Sequence, residues 1–325
     1  MNKTSKKVCV VGAGNWGSNH IRVLNEMGSL GAIVDSNSST IKRFRQLYTD
    51  INFYRNVEDS FKGSFDGYVV ATPAVTHFQI AEKIIKNKCH VLVEKPLALN
   101  VKGASKLNEL AQENEINLMV GHLLLFHPAI LKIKQMIADG AIGELQYLYS
   151  NRLNLGTIRS EENILWSFAP HDISIFQFLV KKFPIEVLSR GGCFVQTDLH
   201  DTTMTVLQYP ENIIGHIFVS WLHPFKEHRL VVIGSKGMIS FDDSSKDKRL
   251  NYHDKTINIS DGVPTKFEGE TQEVEYDREM PLDRELQYFV DHLDGSTIEN
   301  SDANSAIEVL KILEMATNSL TGEAK

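Results

Sequence analysis

The chain has 325 residues, which is enough for two domains of ordinary size rather than one small core. Its content of 42% hydrophobic and 23% charged residues is typical of a soluble globular protein. A formal net charge of −7 disfavours binding to nucleic acid. The sequence also has no run of ~20 apolar residues that would predict a membrane helix. We therefore expect small-molecule partners, with neither nucleic acid nor membrane among them.

The N-terminus and the cysteines predict a cytoplasmic location. Met1–Lys7 is basic, but the apolar stretch after it breaks at Gly12, so we interpret it as the lead-in to a strand and not as a signal peptide. Cys9, Cys89 and Cys193 are far apart, and the first two lie in apolar runs. These cysteines are expected to be inert thiols in a reducing compartment.

Short apolar runs alternate with helical segments over the first 122 residues. Two of those segments, Phe78–Asn87 and Val101–Asn114, repeat apolar residues at helical spacing. Apolar strands separated by helices predict a doubly wound parallel sheet, in which ligands bind beyond the carboxyl ends of the strands. The predicted strands are Val8–Val11, Leu30–Val34, Gly67–Ala71, His90–Val93 and Asn117–Val120.

After His122 the pattern changes, which predicts a nucleotide-binding domain over residues 1–122 and a second domain over residues 123–325. Strand-like runs follow one another from Ser189 to Asp242, as in an antiparallel sheet. The other predictions are a helix over Pro128–Ala138, a strand over Glu144–Arg152, a helix opened by Trp166–Asp172 and running to about Lys181, an exposed loop or weak hairpin over Ser244–Thr271, and helices from about Asp283 and Asn304.

The turn after the first strand carries a dinucleotide-binding motif. Residues 12–17, GAGNWG, fit GxGxxG between a predicted strand and a predicted helix, and the acid Asp35 follows about 20 residues on. Gly12 allows the tight turn, Gly14 admits the pyrophosphate and Gly17 allows close contact between helix and sheet. The helix N-terminus offers N–H groups and a partial positive charge to the phosphates. Asn15 and Trp16 are expected to contact the cofactor as well.

The acid at Asp35 predicts which dinucleotide is used. Its carboxylate is expected to accept hydrogen bonds from the ribose hydroxyls and to repel a 2′-phosphate, and its neighbours Ser36 and Asn37 carry no positive charge. NAD is therefore predicted rather than NADP. Further cofactor contacts are expected where later strands end, at Thr72, Pro73, His77, Glu94 and Lys95, although His77 is equally compatible with a helix cap.

Lys95 and His171 are the candidate catalytic residues. Lys95 precedes Pro96 at a strand end, which restricts its backbone and allows it to donate a hydrogen bond to a substrate oxygen. His171 follows Pro170, which fits the first position of a helix, where the dipole keeps an imidazole neutral and able to accept a proton. The alternatives are a surface lysine, a core histidine and, for Asp172, an acid that merely favours the helix start.

Several other polar residues carry open alternatives. His122 and His127 lie near the domain junction, where they either meet substrate or bridge elements. The 12 histidines show no metal-ligand spacing, so no metal is predicted. Trp221–Arg229 is expected to be an exposed turn. The alternative is that Lys226 or Arg229 contacts the anionic group of a phosphorylated substrate.

Three motifs in this order, GAGNWG at 12–17, EKP at 94–96 and HD at 171–172, resemble the Gfo/Idh/MocA family over essentially the whole chain. The resemblance implies a Rossmann domain, a C-terminal α/β domain with a large, mostly antiparallel open sheet, and a homodimer or homotetramer. It assigns Lys95 as the active-site lysine and His171 as the catalytic histidine. Ser167 stands where many members have aspartate; it can hydrogen-bond substrate but cannot balance an imidazolium, for which Asp172 is a partial substitute.

The segments 121–128 and 163–172 are similar to those of the family branch that acts on nucleotide sugars. That similarity implies NAD-dependent oxidation of a secondary ring hydroxyl, at C3 of a sugar such as UDP-N-acetylglucosamine. The keto sugar would serve cell-surface polysaccharide or lipid A sugar biosynthesis. The alternatives are a dehydrogenase for a free polyol or aldose, a non-catalytic dinucleotide-binding regulator, and a glycosidase that uses NAD transiently.

Overall fold

The computed structural model describes residues 6–322, and the chain divides into two compact units. The first unit runs to Phe126 and also takes Glu279–Ile307, while the second runs from His127 to Arg278 and resumes at Glu308. The predicted division into residues 1–122 and 123–325 remains a prediction. It has a single boundary, whereas the chain returns to its first unit at Glu279. Most of the basic segment Met1–Lys7 lies outside the described residues.

The first unit is built on six parallel strands in the order β3-β2-β1-β4-β5-β6, which confirms the predicted Rossmann-type sheet. Every residue of the central strands β1 and β4 is buried, as expected of a parallel sheet covered on both faces. In chain order the elements are β1 Val8–Val11, α1 Gly17–Glu26, β2 Leu30–Val34, α2 Ser38–Leu47, β3 Asn52–Tyr54, α3 Val57–Ser60, β4 Gly67–Val70, α4 His77–Lys86, β5 His90–Glu94, α5 Val101–Glu113 and β6 Leu118–Gly121.

The strand order reverses between β1 and β4, and this places the ligand site. Chain connections leave the two strands in opposite directions there, so a crevice opens beyond their carboxyl ends. Asp35 follows β2 on one side of that point, and Lys95 follows β5 on the other. Asp35, predicted to bind the adenosine ribose, and Lys95, predicted to lie at the nicotinamide, are thus on opposite sides of the crevice.

The second unit is a mixed sheet of eight strands in the order β14-β13-β12-β11-β7-β10-β9-β8. Its strand pairs are antiparallel except for β10 with β7, which confirms the predicted, mostly antiparallel open sheet. The elements are α6 Pro128–Ala138, β7 Leu145–Leu155, α7 Ile164–Val180, β8 Glu186–Gly192, β9 Thr202–Gln208, β10 Ile214–Ser220, β11 Leu222–Gly234, β12 Met238–Asp242, β13 Leu250–Ser260 and β14 Val263–Glu273. Two helices close the described chain, α8 Pro281–Asp291 and α9 Ala303–Thr321.

Some local features differ from the predictions. The strand β3 was not predicted, because three half-exposed residues are too short to show a pattern. Trp221–Arg229 is not an exposed turn: Trp221 is fully buried, and the rest belongs to β11, where the pairing with β7 shifts register before Glu227. Cys89 precedes β5 and is half-buried rather than inside a strand. Within residues 6–322, no helix is long and apolar enough to cross a bilayer.

Candidate active site

The glycine loop has the three properties that its motif predicts. Gly12 has φ +94°, and a Cβ there would lie 2.7 Å from the Ala71 carbonyl oxygen. A Cβ on Gly17 would lie 1.9 Å from the Gly12 carbonyl oxygen, so the first turn of α1 can approach the loop only with glycine. Gly14 faces open space, with nothing within 4 Å of an added Cβ. The loop is tightly packed on its inner side and open where a pyrophosphate would approach.

A cavity of about 720 Å³ lies over this loop. It is large enough for a sizeable part of a dinucleotide. Its walls include seven of the predicted cofactor residues, namely Gly12, Gly14, Asn15, Trp16, Asp35, Thr72 and Pro73. The residues present therefore fit an NAD molecule whose pyrophosphate lies on Gly14 and the start of α1.

The carboxylate of Asp35 is held at the far end of the cavity by two backbone donors. The Ala13 N–H donates to Oδ2 at 2.9 Å, and the Asn37 N–H donates to Oδ1 at 2.7 Å. Each carboxylate oxygen keeps a second lone pair that can accept from a ribose hydroxyl. The prediction that Asp35 binds the ribose is compatible with this geometry.

Arg55 is a cavity residue that the sequence analysis missed. It follows β3, lines the same cavity as Asp35, and its Nη2 donates to the Ser36 carbonyl oxygen at 2.6 Å. The prediction of NAD rested on the immediate neighbours of Asp35, which are uncharged. A positive charge from a distant segment nevertheless reaches this end of the cavity, and recognising β3 was the only signal that could have located it.

His77 begins α4 as predicted and is buried. Its Nδ1 lies 2.8 Å from the Pro96 carbonyl oxygen, and its Nε2 lies 2.8 Å from the Thr72 carbonyl oxygen. The ring thus holds together the loops that follow β4 and β5, which carry two groups of predicted cofactor residues. Its own contact with NAD remains a prediction.

Glu94 is buried at the end of β5 and is held from two sides. The Trp16 indole N–H donates to Oε1, and His20 Nε2 lies 2.8 Å from the same oxygen. Burial opposes the charge on this carboxyl, but the hydrogen bonds from His20 and Trp16 outweigh it, so the pKa of Glu94 is lowered. A negative charge is therefore fixed next to Lys95.

Lys95 and His122 directly follow the neighbouring strands β5 and β6. Lys95 is half-buried, is joined to Pro96 by a cis peptide bond, and donates its backbone N–H to Glu94 Oε2 at 3.3 Å. His122 directly follows β6 and is 3% exposed. Burial lowers the pKa of His122 to about 4, and the charge of Lys95 acts in the same direction. His122 is thus neutral at physiological pH.

In the second unit, α7 begins seven residues before His171, at Ile164. The side chain of Asn163 accepts from the Trp166 N–H at 3.1 Å and caps the helix. His171 is therefore well inside α7, and the prediction that it lies in a first helical turn near the positive end of the dipole is wrong. Pro170, which suggested that start, lies inside the helix, where it has no N–H to donate.

Asp172 is likewise not an acid of a first helical turn. It is buried, accepts from Ser150 Oγ at 2.5 Å and pairs with Arg152 Nε at 2.8 Å and Nη2 at 3.0 Å. The carboxylate therefore ties α7 to β7. Ser167 is buried one turn before His171 on the same helix, so the two share a helix face. Contacts of Ser167 and Asp172 with substrate remain predictions.

The remaining candidates have structural partners. His127 caps α6, accepting from the Ala129 N–H at 3.1 Å, and its Nε2 lies 3.5 Å from Asp243 Oδ1. Arg229 lies on β11, 3.1 Å from Glu227 Oε1 and 3.6 Å from Asp242 Oδ2. An anion contact through Lys226 or Arg229 stays a prediction. Among the residues that the structure describes, no three His, Cys, Asp or Glu side chains are grouped to hold a metal ion.

Comparison with known proteins now adds to this geometry. Residues 6–122 match the family described as "Oxidoreductase family, NAD-binding Rossmann fold", and residues 130–240 match the GFO/IDH/MocA C-terminal domain. The chain belongs to the Gfo/Idh/MocA family. Its first unit matches an oxidoreductase family with the NAD-binding Rossmann fold, which agrees with the cavity over the glycine loop.

The individual relatives have low sequence identity to this chain. The UDP-N-acetylglucosamine 3-dehydrogenase of Acidithiobacillus ferrooxidans is 27% identical over 202 residues, which are 61% of this chain and 62% of that protein. The aligned stretch thus covers less than two thirds of that relative. The myo-inositol 2-dehydrogenase of Thermotoga maritima is 24% identical over 250 residues, 73% of this chain and 75% of that protein.

Solved structures share the fold over nearly the whole chain. The structure of UDP-N-acetylglucosamine 3-dehydrogenase GnnA from A. ferrooxidans superimposes with a TM-score of 0.85 at 21% identity, covering 98% of each chain. The WlbA dehydrogenase from Bordetella pertussis, solved with NADH and UDP-GlcNAcA, gives a TM-score of 0.79 at 18% identity, covering 98% of this chain and 97% of that one. At these identities the likeness establishes the fold.

Proposed function

We propose that this chain oxidises a secondary ring hydroxyl of a nucleotide sugar to a ketone, at C3 of a sugar such as UDP-N-acetylglucosamine. When bound, NAD supplies the hydride acceptor. The observation that carries the proposal is the carboxyl end of β5, where Lys95 follows the strand beside the fixed charge of Glu94. The similarity to a UDP-N-acetylglucosamine 3-dehydrogenase supports the substrate class.

Two side chains are assigned roles in the reaction. Lys95 donates a hydrogen bond to the substrate hydroxyl oxygen and stabilises the negative charge that develops there. His171 accepts the hydroxyl proton as general base, while the carbon-bound hydrogen leaves as hydride. One hydride and one proton are removed, and the product is a keto sugar. A keto group at C3 is a substrate for amination, which would serve cell-surface polysaccharide or lipid A sugar biosynthesis.

The remaining site residues have supporting roles in the proposal. Gly12, Gly14, Asn15, Trp16 and Gly17 hold the pyrophosphate, Asp35 holds the adenosine ribose, and the residues after β4 and β5 hold the nicotinamide half. In that last group are Thr72, Pro73, His77 and Glu94. His122, Ser167 and Asp172 contact the sugar.

The test is formation of NADH with three candidate substrates: UDP-N-acetylglucosamine, free N-acetylglucosamine and myo-inositol. We expect absorbance to rise with the nucleotide sugar. NADH formed only with myo-inositol would replace the proposal with the polyol dehydrogenase that the inositol relative suggests. Absence of turnover on every sugar, with NAD bound, would favour a non-catalytic regulator. Reduction of the product with borodeuteride, followed by NMR, shows whether deuterium is at C3.

The variant Lys95→Met tests the assigned role directly. We expect it to bind NAD as the parent chain does and to lose about 10²–10⁴-fold in turnover, because the hydroxyl oxygen loses its charged donor. His171→Ala should lose a similar factor. A Lys95→Met chain with full turnover would contradict the mechanism.

A further inference from the structure

A second buried acid lies near Glu94 and has no role in the reaction described above. Glu285 is on α8, which packs against α1, and its side chain is 0% exposed. Neither carboxyl oxygen has a hydrogen-bond partner among the described residues. Burial and the negative charge of Glu94 both raise the pKa of Glu285 well above its ordinary value. An ionised carboxylate in this position would be too costly, so the group is neutral.

Glu94 itself contacts three segments of the first unit. Its Oε1 accepts from Trp16 in the glycine loop and from His20 on α1, and its Oε2 accepts from the Lys95 N–H. The rings of Trp16 and His20 meet edge to face, with centroids 5.9 Å apart. His20 is 0% exposed, whereas Trp16 is 41% exposed and lines the NAD cavity. One carboxylate thus connects the cofactor loop to Lys95.

The position of that carboxylate leaves little freedom. A Cβ on Gly121, at the end of β6, would lie 2.9 Å from Glu94 Oε2 and 3.1 Å from Oε1. The charged and titratable groups that face the pair are His20 from α1, Lys95 after β5 and His122 after β6. Glu94 and Lys95 thus bring opposite charges to this end of the sheet, and His122 between the strand ends adds none.

We propose that Glu94 is the positioning residue for Lys95. It fixes Trp16 and His20 on one oxygen and the Lys95 backbone on the other, and it places a negative charge beside the Lys95 ammonium. Glu285, buried and without a hydrogen-bond partner among the described residues, adds no second charge. The role rests on the proposed function, in which the ammonium is the hydrogen-bond donor to substrate. It also has consequences that can be measured without any substrate.

The first experiment measures the ionisation of Lys95. Competitive labelling of the full chain with acetic anhydride, read by mass spectrometry over a range of pH, gives the pKa of individual lysines. We expect Glu94→Gln to lower the pKa of Lys95 by about one unit or more, because an opposite charge is lost at short range. Glu285→Gln, the same substitution at the neighbouring acid, should leave that labelling curve in place. An unshifted curve in Glu94→Gln, or equal shifts in both variants, would overturn the proposal.

The second experiment separates the position of the carboxylate from its charge. Gly121→Ala keeps Glu94 but pushes its carboxyl group away from Trp16 and His20. We expect NAD affinity, measured by calorimetry, to fall by about tenfold, a change of about 1.4 kcal/mol. The pKa of Lys95, measured by the same labelling, should shift less in Gly121→Ala than in Glu94→Gln. NAD binding as tight as in the parent chain would show that the carboxylate does not position the cofactor loop.

The third experiment tests the neutral state of Glu285 by thermal unfolding. A carboxyl whose pKa is higher in the folded than in the unfolded chain loses stability as pH rises through its ordinary range, because only the unfolded chain releases the proton. The variant Glu285→Gln does not lose stability in this way, because glutamine has no proton to release. Its Tm should therefore rise relative to the parent between about pH 4 and pH 8. A Tm difference that is constant with pH would mean an ionised Glu285 and would overturn the single-charge arrangement.

These outcomes are distinguishable from a failure of the proposed function. If no sugar is oxidised but the labelling and unfolding results hold, the cluster keeps its electrostatic role and only the substrate assignment is lost. If turnover is found, the alkaline limb of kcat/KM should move to lower pH in Glu94→Gln and stay in place in Glu285→Gln. A limb that stays in place in Glu94→Gln would contradict the positioning role.

Discussion

Asp35 and Arg55 bring opposite charges to the adenosine end of the NAD cavity. Asp35 is held by two backbone N–H groups, and Arg55 is anchored on the Ser36 carbonyl oxygen. The acid favours a ribose with free hydroxyls and repels a 2′-phosphate, whereas the guanidinium would attract one. We therefore expect the preference for NAD over NADP to depend on the carboxylate of Asp35.

Asp35→Ala is expected to lower the affinity for NAD and to raise the affinity for NADP at the same time. Loss of hydrogen bonds to a charged acceptor costs about 1.5–3 kcal/mol, which is roughly tenfold to a hundredfold in NAD affinity. With the repulsion removed, Arg55 can pair with the 2′-phosphate of NADP. Calorimetric titration of both cofactors checks this, with Asp35→Ala/Arg55→Ala as the matched control that loses the gain in NADP binding. An unchanged preference in Asp35→Ala would remove the acid from the account.

Among single residues, the sequence could predict those whose role depends on neighbouring positions in the chain. Gly12, Gly14 and Gly17 follow from a motif that includes the strand before it and the helix after it, and the structure gives each the backbone role expected. Arg55 and Glu285 could not be predicted. They reach the site from a three-residue strand and from a helix near the end of the chain, and neither carries a motif.

Among the elements, α7 shows how two valid start signals can compete. Proline favours the first helical position, and that rule placed the start at Pro170. Asn163 is also a good cap, and the structure uses it. The helix continues through Pro170 with buried residues on both sides, because tertiary packing compensates for the missing hydrogen bond. The short apolar strands β1, β2 and β4 were predictable to within a residue, since burial on both faces gives each of them a continuous apolar run.

The attachment of α7 to β7 through Asp172 and Arg152 leads to a stability prediction. Arg152→Met leaves a buried carboxylate without its partner and should lower the free energy of unfolding by about 3–5 kcal/mol. Arg152→Met/Asp172→Leu removes both charges and should recover most of that loss. Denaturant unfolding of the two variants checks it. Equal destabilisation in both would mean that Arg152 acts through packing alone.

At the scale of the whole molecule, the second unit exposes apolar side chains on one face of its sheet. Leu188 and Val206 are paired across β8 and β9, and Met204 and Ile214 lie on the same face. Their side chains are 36–50% exposed. An apolar sheet face of this kind is typical of an interface between subunits. The prediction of a homodimer or homotetramer, made from the family resemblance, is compatible with it.

A charge on that face should therefore change the assembly. We expect Met204→Lys to shift the native mass from a multiple of the chain toward a single chain in light scattering coupled to size exclusion, because a buried lysine opposes association. Lys266→Glu, on an exposed part of β14, is the control that should keep the parent mass. A parent chain that is already monomeric would contradict the predicted oligomer.

The central proposal is that Lys95 and His171 act on one hydroxyl of the substrate. A crystal structure of the full chain with NAD and UDP-N-acetylglucosamine tests it most directly. We expect Lys95 Nζ and a ring nitrogen of His171 within about 2.6–3.2 Å of the same ring hydroxyl oxygen, next to the nicotinamide. A complex in which the two side chains contact different parts of the ligand, or in which only one of them reaches it, would contradict the account.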